Sequence, residues 1–367
     1  MRQPTLALYL FNVAIFILLV VMSFGPLYRG RLNKVAIKNR NSSIFASTSF
    51  LLLLLFLVFQ YTESDFWSYW GLFERGDELV EPLQNWIRDH FNNYYLWRLT
   101  VWGSALAITI WAFKRLGLNP RIYYPIFVLC YLTRFISREQ LGIAIMFLGS
   151  TFILNPTKNK SLSFILGVAL IMGSYYFHNS MVVSIAMLFP ALFKITTRRA
   201  MLIIILFVPL IYLFIYVMGN ESIMQFFTDT STNTGDRIAI YTEWETERMN
   251  TLGLLRQLLY WSPMILMLAD VIMRSSGARK TIELPNSIQF YLNYWFLMFI
   301  ISFVFYWIIT RTTLVSVRLL DKSLFPMVIV LSYWYSVNKP SSIMKVSLIL
   351  FLLYDLFNYS LIIYKAI

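Results

Sequence analysis

The feature that most constrains this chain is a succession of apolar stretches, each close to the ~20 residues that carry an α-helix across a ~30 Å hydrocarbon core. Short polar or basic breaks separate them. The stretches run near Thr5 to Phe24, Ser43 to Gln60, Leu96 to Phe113, Ile122 to Phe135, Leu141 to Leu154 and Leu162 to Phe177. They continue near Met181 to Phe193, Met201 to Met218, Leu258 to Met273, Ile288 to Thr310, Leu319 to Val337 and Val346 to Tyr364. This pattern predicts an all-α polytopic integral membrane protein of about twelve transmembrane helices. Composition agrees: 58% of the 367 residues are hydrophobic and 13% are charged, whereas soluble domains carry about a quarter charged residues. Cys130 is the single cysteine, so a disulfide scaffold is excluded.

The net charge of +13 would suggest an anionic partner such as nucleic acid, but in a membrane chain the location of the positive charge matters more than its total. Alternate breaks hold clusters such as Arg29, Arg31, Lys34, Lys38 and Arg40, or Lys194, Arg198 and Arg199. Together these breaks contain 18 of the 31 basic residues, against two nearby acids, Asp270 and Glu283. They are assigned to the cytoplasm, which places both termini outward and makes the excess a topology signal; no nucleic acid partner is expected. The apolar run at the N-terminus is of full spanning length and leads into a basic loop, unlike a cleaved signal. No linker or repeat is evident, so 1–367 is expected to be a single transmembrane domain. Two outward loops, 61–95 and 219–257, are longer than the rest and rich in aromatic residues. Such loops are usually functional or disordered, and the aromatic content argues against disorder. Within the second, Tyr241 to Leu255 has the composition of a short interfacial helix.

Two histidines and one cysteine cannot form a zinc site of the usual composition, and no nucleotide-binding or nucleophile-elbow motif is present. The informative segment is Tyr131 to Ala144. Arg134 lies 13 residues after Arg121, about 20 Å of helix, and so falls short of the far side of the bilayer. Arg134 and Arg138 share a face if the helix continues through them. Recessed guanidiniums suit a phosphate or pyrophosphate, which they grip bidentately. The competing reading has Glu139 and lipid phosphates neutralising them as interfacial anchors.

His178 follows the sixth span, where an imidazole can serve as general base on a sugar hydroxyl or bind phosphate, or simply be a hydrogen-bonded interfacial residue. Arg311 and Arg318 bracket a later outward break, as a second anion clamp or through an Arg318 to Asp321 ion pair. In the first long loop, Asp65 beside Trp67 and Tyr69 pairs a carboxylate with aromatic platforms, a composition that binds sugar rings; a solvated loop face is the alternative. Asp355, inside the last span, is expected to be paired.

The segment Ser-Arg-Glu-Gln-Leu-Gly-Ile-Ala from Ser137, followed about 35 residues later by Tyr-Phe-His-Asn-Ser-Met, resembles the Arg-Gln-x-x-Ala and Phe-His-x-Ser-Ala motifs of the EpsG and Wzy-like polysaccharide polymerases. Asp65-Phe-Trp-Ser-Tyr69 looks like that family's Asp-Tyr-x-x-Tyr. The segment from Arg318 to Pro326 is similar to its late Arg-x-x-x-Tyr-Phe. There are departures: Glu139 interrupts the Arg-Gln, Met181 replaces an alanine, and Phe66 replaces a tyrosine.

The resemblance implies a GT-C-like bundle in the bacterial cytoplasmic membrane that polymerises undecaprenyl-pyrophosphate-linked oligosaccharides without a cofactor or metal. Its implied partners are the bilayer, a chain-length regulator and a flippase. By the same resemblance, Arg134, Arg138, Gln140, Arg311 and Arg318 would bind the pyrophosphate, and His178, Asp65 or Glu139 would take part in catalysis. Trp67 and Tyr69 would bind sugar. The main alternative is a lipid-linked oligosaccharide flippase or another transporter. Transporters commonly show internal repeats and helices broken at mid-membrane; no repeat is seen, and the ionisable residues gather at the outer rim instead of the centre. A membrane acyltransferase or a single-sugar glycosyltransferase is a third reading.

Overall fold

A computed structural model describes residues 6–29, 41–59, 66–75, 82–91, 93–132, 139–178, 181–193, 251–276, 283–304 and 319–366. These residues form α-helices and one 3-10 turn, with no strand among them. In chain order the helices are α1 (Leu6–Arg29), α2 (Asn41–Val58), α3 (Phe66–Arg75), α4 (Pro82–His90), α5 (Tyr94–Arg115), α6 (Pro120–Tyr131) and α7 (Glu139–Leu154). Then come α8 (Lys160–Gly173), the 3-10 turn (Ser174–Phe177), α9 (Met181–Ala191), α10 (Thr251–Ser276), α11 (Asn286–Val304), α12 (Leu324–Val337) and α13 (Ser342–Ala366). Among the described residues, five segments are long and apolar enough to cross a membrane: Leu10–Arg29, Tyr94–Arg115, Lys160–Phe177, Leu258–Ser275 and Ser342–Ser360.

Each expected span overlaps a described helix except the eighth, Met201 to Met218, which lies outside the described residues, as do 133–135 of the fourth and 305–310 of the tenth. The first long loop contains α3 and α4. In the second, the expected interfacial helix is outside the described residues up to 250, and from Thr251 it is the start of α10. That helix begins earlier than the hydropathy edge at Leu258 because Leu252, Leu254 and Leu255 continue the apolar pattern.

Helix ends follow local chemistry. Asn93 caps α5 by accepting from the amides of Tyr95 (2.9 Å) and Leu96 (3.2 Å). Asn119 caps α6 by accepting from Arg121 N (3.0 Å), with Pro120 at the first position, and Asn159 caps α8 through Leu162 N (3.0 Å). Such side chains satisfy amides that have no partner within the helix. Between α5 and α6 the chain reverses at Gly117, whose φ of 68° suits glycine alone at little cost.

The chain divides into two compact units, Met1–Ala186 with Val328–Ile367, and Met187–Met327. In the first, α7 packs against both α5 and α8, while α1 and α2 pack against each other and against α6. Phe16 of α1 stacks on Tyr359 of α13 with ring centroids 4.0 Å apart, and Phe56 of α2 completes that cluster. Asp355, one turn before Tyr359, is fully buried in the same unit.

At one end of this unit, Arg115 ties α5 to α7. Its Nε donates to Thr151 Oγ1 (3.1 Å), Nη2 donates to Asn155 O (2.8 Å), and its guanidinium lies 3.7 Å from the Phe152 ring centroid. Asn155 Nδ2 donates back to Arg115 O (2.7 Å). The C-terminal ends of α5 and α7 therefore coincide, and α8 returns alongside α7. Tyr94, Glu139 and the 3-10 turn consequently share the opposite end, the one expected to face outward.

In the second unit, Asn293 of α11 donates to the carbonyls of Ala191 (3.0 Å) and Phe193 (2.6 Å), capping the C-terminal end of α9. Trp261 of α10 meets Phe299 of α11 edge-on, with centroids 5.3 Å apart. The Tyr260 hydroxyl donates to Asp321, so this carboxylate has a tyrosine partner from α10; Arg318, its partner in one of the two sequence readings, lies outside the described residues.

Candidate active site

Glu139 is the first residue of α7, and its side chain is 3% exposed. A carboxylate at this position is favoured by the positive end of the helix macrodipole, but its burial demands a counter-group. His178 supplies one: its Nδ1 lies 3.4 Å from Glu139 Oε1. An ionised carboxylate only accepts, so the imidazole would face it with Nδ1–H, which leaves Nε2 as the second functional nitrogen.

The local sequence holds His178 in place from both sides. The 3-10 turn ends in an extended His178 (φ −169°, ψ 129°), whose amide donates to Tyr175 O (3.2 Å) and whose carbonyl accepts from Met181 N (3.0 Å). At the start of the turn the buried Ser174 donates through Oγ to Ile171 O (2.6 Å). The His178 side chain remains 14% exposed, so the pair is recessed yet reachable. Gln140 is buried beside Glu139, and its Nε2 has no hydrogen-bond partner among the described residues.

The loop containing α4 comes to the same place, since α4 packs against the 3-10 turn. Ile87 points inward and Trp86 is exposed, as are Tyr175 and Tyr176 of the turn. His90 Nδ1 donates to Trp86 O (2.8 Å), so this histidine completes the last turn of α4.

The preceding helix, α3, packs on the start of α5 through aromatic edges. Trp70 meets Tyr94 (5.1 Å) and Tyr95 (5.5 Å), and Phe73 meets Tyr94 (5.6 Å). Trp67 and Tyr69 belong to α3, and Asp65 lies just before it, outside the described residues. Arg134, Arg138, Arg311 and Arg318 are also outside them. Of the residues expected at the site, the structure therefore brings together His178 and Glu139, with Gln140 next to Glu139 in sequence.

Arg98 is a feature that charge counting overlooks. It is buried, donates to Leu57 O at the end of α2 (2.7 Å) and to the Tyr94 hydroxyl (3.4 Å), and lies 5.8 Å from the ring centroids of Tyr94 and Trp102. A cation at a helix C-terminus is favourably placed, and the aromatic faces add cation–π attraction. Its sequence signal is an arginine inside an expected span, between Trp97 and Trp102. The described residues contain no cluster of three or more His, Cys, Asp or Glu able to hold a metal.

No curated protein and no solved structure matches the chain. The profile of the EpsG family matches residues 43–367, which include both helices of the first long loop, the Glu139–His178 pair and the late Arg318 segment. The chain therefore belongs to the EpsG family of Wzy-like polysaccharide polymerases.

Proposed function

We propose that this membrane protein joins undecaprenyl-pyrophosphate-linked oligosaccharide repeat units at the outer face of the bacterial cytoplasmic membrane, through a bundle of about twelve spans with both termini outward. The growing chain is transferred en bloc from its lipid carrier to the non-reducing end of a fresh lipid-linked unit, without a metal. Family membership supplies the reaction class, and the observation that carries the chemistry is the 3.4 Å approach of His178 to the buried Glu139.

In this reading Glu139 holds His178 Nδ1–H, and Nε2 takes the proton of the acceptor hydroxyl. The acceptor oxygen forms its bond to the anomeric carbon as the bond from that carbon to the pyrophosphate oxygen breaks. The bonding pair leaves with undecaprenyl pyrophosphate. Stabilising that departing charge is the main electrostatic task, and it falls to Arg134, Arg138 and Gln140, with Arg311 and Arg318 as further cations. Gln140 Nε2, buried beside Glu139, is a donor suited to this role. Asp65 is the alternative base, and Trp67 and Tyr69 offer faces for sugar rings. A chain-length regulator and a flippase are the expected partners.

The test supplies purified protein in liposomes with lipid-linked repeat units and no nucleotide. A ladder of products that is lost in His178→Ala supports the polymerase. Movement of the carrier across the membrane without new glycosidic bonds supports the flippase reading instead.

A further inference from the structure

The face of α7 that carries Glu139 also carries Gly142, one turn on. A β-carbon built there would lie 3.1 Å from Ser174 O, 3.2 Å from Met181 Cγ and 3.3 Å from Phe177 Cβ. All three atoms belong to the short stretch that brackets His178, the 3-10 turn on one side and the start of α9 on the other. Met181 is fully buried, and the backbone of His178 is bonded to both sides through Tyr175 and Met181. A substituent on Gly142 therefore needs its neighbours to give by a few tenths of an ångström, and the closest of them is a backbone carbonyl, not the end of a flexible side chain. The segment bearing His178 is the part that shifts away from the helix bearing Glu139.

Gly149, farther along α7, has a different role. A β-carbon there would meet Gly167 O at 2.7 Å, Ile171 Cγ1 at 2.9 Å and Leu170 Cβ at 3.0 Å, so it governs the crossing of α7 and α8.

We propose that Gly142 is a positioning residue for the proposed transfer: its missing side chain lets the His178 segment settle onto α7 so that Nδ1 reaches Glu139. This inference rests on the reading of His178 as the base, and its test has a readout independent of that reading. The chain has two histidines, so ring-15N-histidine labelling in a His90→Asn background leaves one imidazole to observe in the liposome-embedded full chain.

Gly142→Ala is expected to move the His178 Nδ1 resonance in the direction produced by Glu139→Gln. With lipid-linked repeat units it is expected to lower kcat about ten-fold at unchanged KM, a loss within the range ascribed to a general base. An unmoved resonance in the assembled variant overturns the inference, as does a raised KM at unchanged kcat. If Gly142→Ala alone does not assemble, Gly142→Ala/Met181→Ala is compared with Met181→Ala. The Ser174 carbonyl still forces the shift there, and equal resonances overturn the inference. A moved resonance in a protein whose unsubstituted form makes no polymer supports the positioning role and overturns the polymerase reading, so the two failures are distinguishable.

Discussion

His178 Nδ1 and Glu139 Oε1 lie 3.4 Å apart, joining the end of a 3-10 turn to the first residue of α7. The two residues are brought together because α8 returns along α7, and because α7 begins at the end of the unit where that return finishes. The carboxylate is almost wholly enclosed and the imidazole is partly open. This asymmetry suits a group that holds and a group that exchanges protons.

Replacing Glu139 by Gln keeps the volume but removes the charge that holds Nδ1–H. Polymer formation is expected to fall about 10- to 100-fold, while His178→Ala falls further because the proton acceptor itself is gone. Initial rates on lipid-linked repeat units, with membrane insertion checked in parallel, measure both. Equal, unimpaired rates would remove the pair from the mechanism.

Arg138→Ala is expected to abolish polymer while leaving membrane insertion intact, since a departing pyrophosphate without its cation loses electrostatic stabilisation of about 3 kcal/mol or more. Arg138→Lys should restore only part, because an ammonium lacks the bidentate fork. Chain-length distributions on gels give the answer, and a normal distribution in Arg138→Ala excludes the residue.

Gly149→Ala places a methyl 2.7 Å from a backbone carbonyl. Overpacking of this kind costs about 1–3 kcal/mol, so the thermal midpoint of the detergent-solubilised protein should drop. Activity measured on the surviving fold should change less than in Gly142→Ala.

Arg98→Met retains an apolar stem but removes the donor to Leu57 O. A buried carbonyl left without this charged partner is expected to cost about 1–3 kcal/mol. Thermal unfolding should show the loss, and Arg98→Lys should recover only part of it because the planar fork bridging two aromatic rings is absent.

Much of the helical framework was legible because it depends on local properties. The caps at Asn93, Asn119 and Asn159 each act within three residues of themselves, and the spans follow from uninterrupted apolar length. The site was legible only in part. His178 and Glu139 could each be singled out, but their pairing could not, because they stand on different elements that only the return of α8 along α7 brings together. Asp321 shows the same limit: it accepts from Tyr260 of α10, a residue far away in sequence that no local pattern joins to it. Arg98 was passed over because its main partner, Leu57 O at the end of α2, is far away in sequence, although the aromatic faces of Tyr94 and Trp102 lie one turn away on α5 itself.

The sequence by itself determined that this chain is an all-helical membrane protein of the EpsG type, because apolar length, basic breaks and short motifs are properties of contiguous residues. Only the tertiary structure decided which polar groups meet. The return of α8 along α7, and the bare backbone at Gly142 that permits the final approach, turn a buried carboxylate and an imidazole into a pair. That outcome depends on differences of a few tenths of an ångström in how closely helices approach, which side-chain volume sets and one-dimensional pattern does not contain.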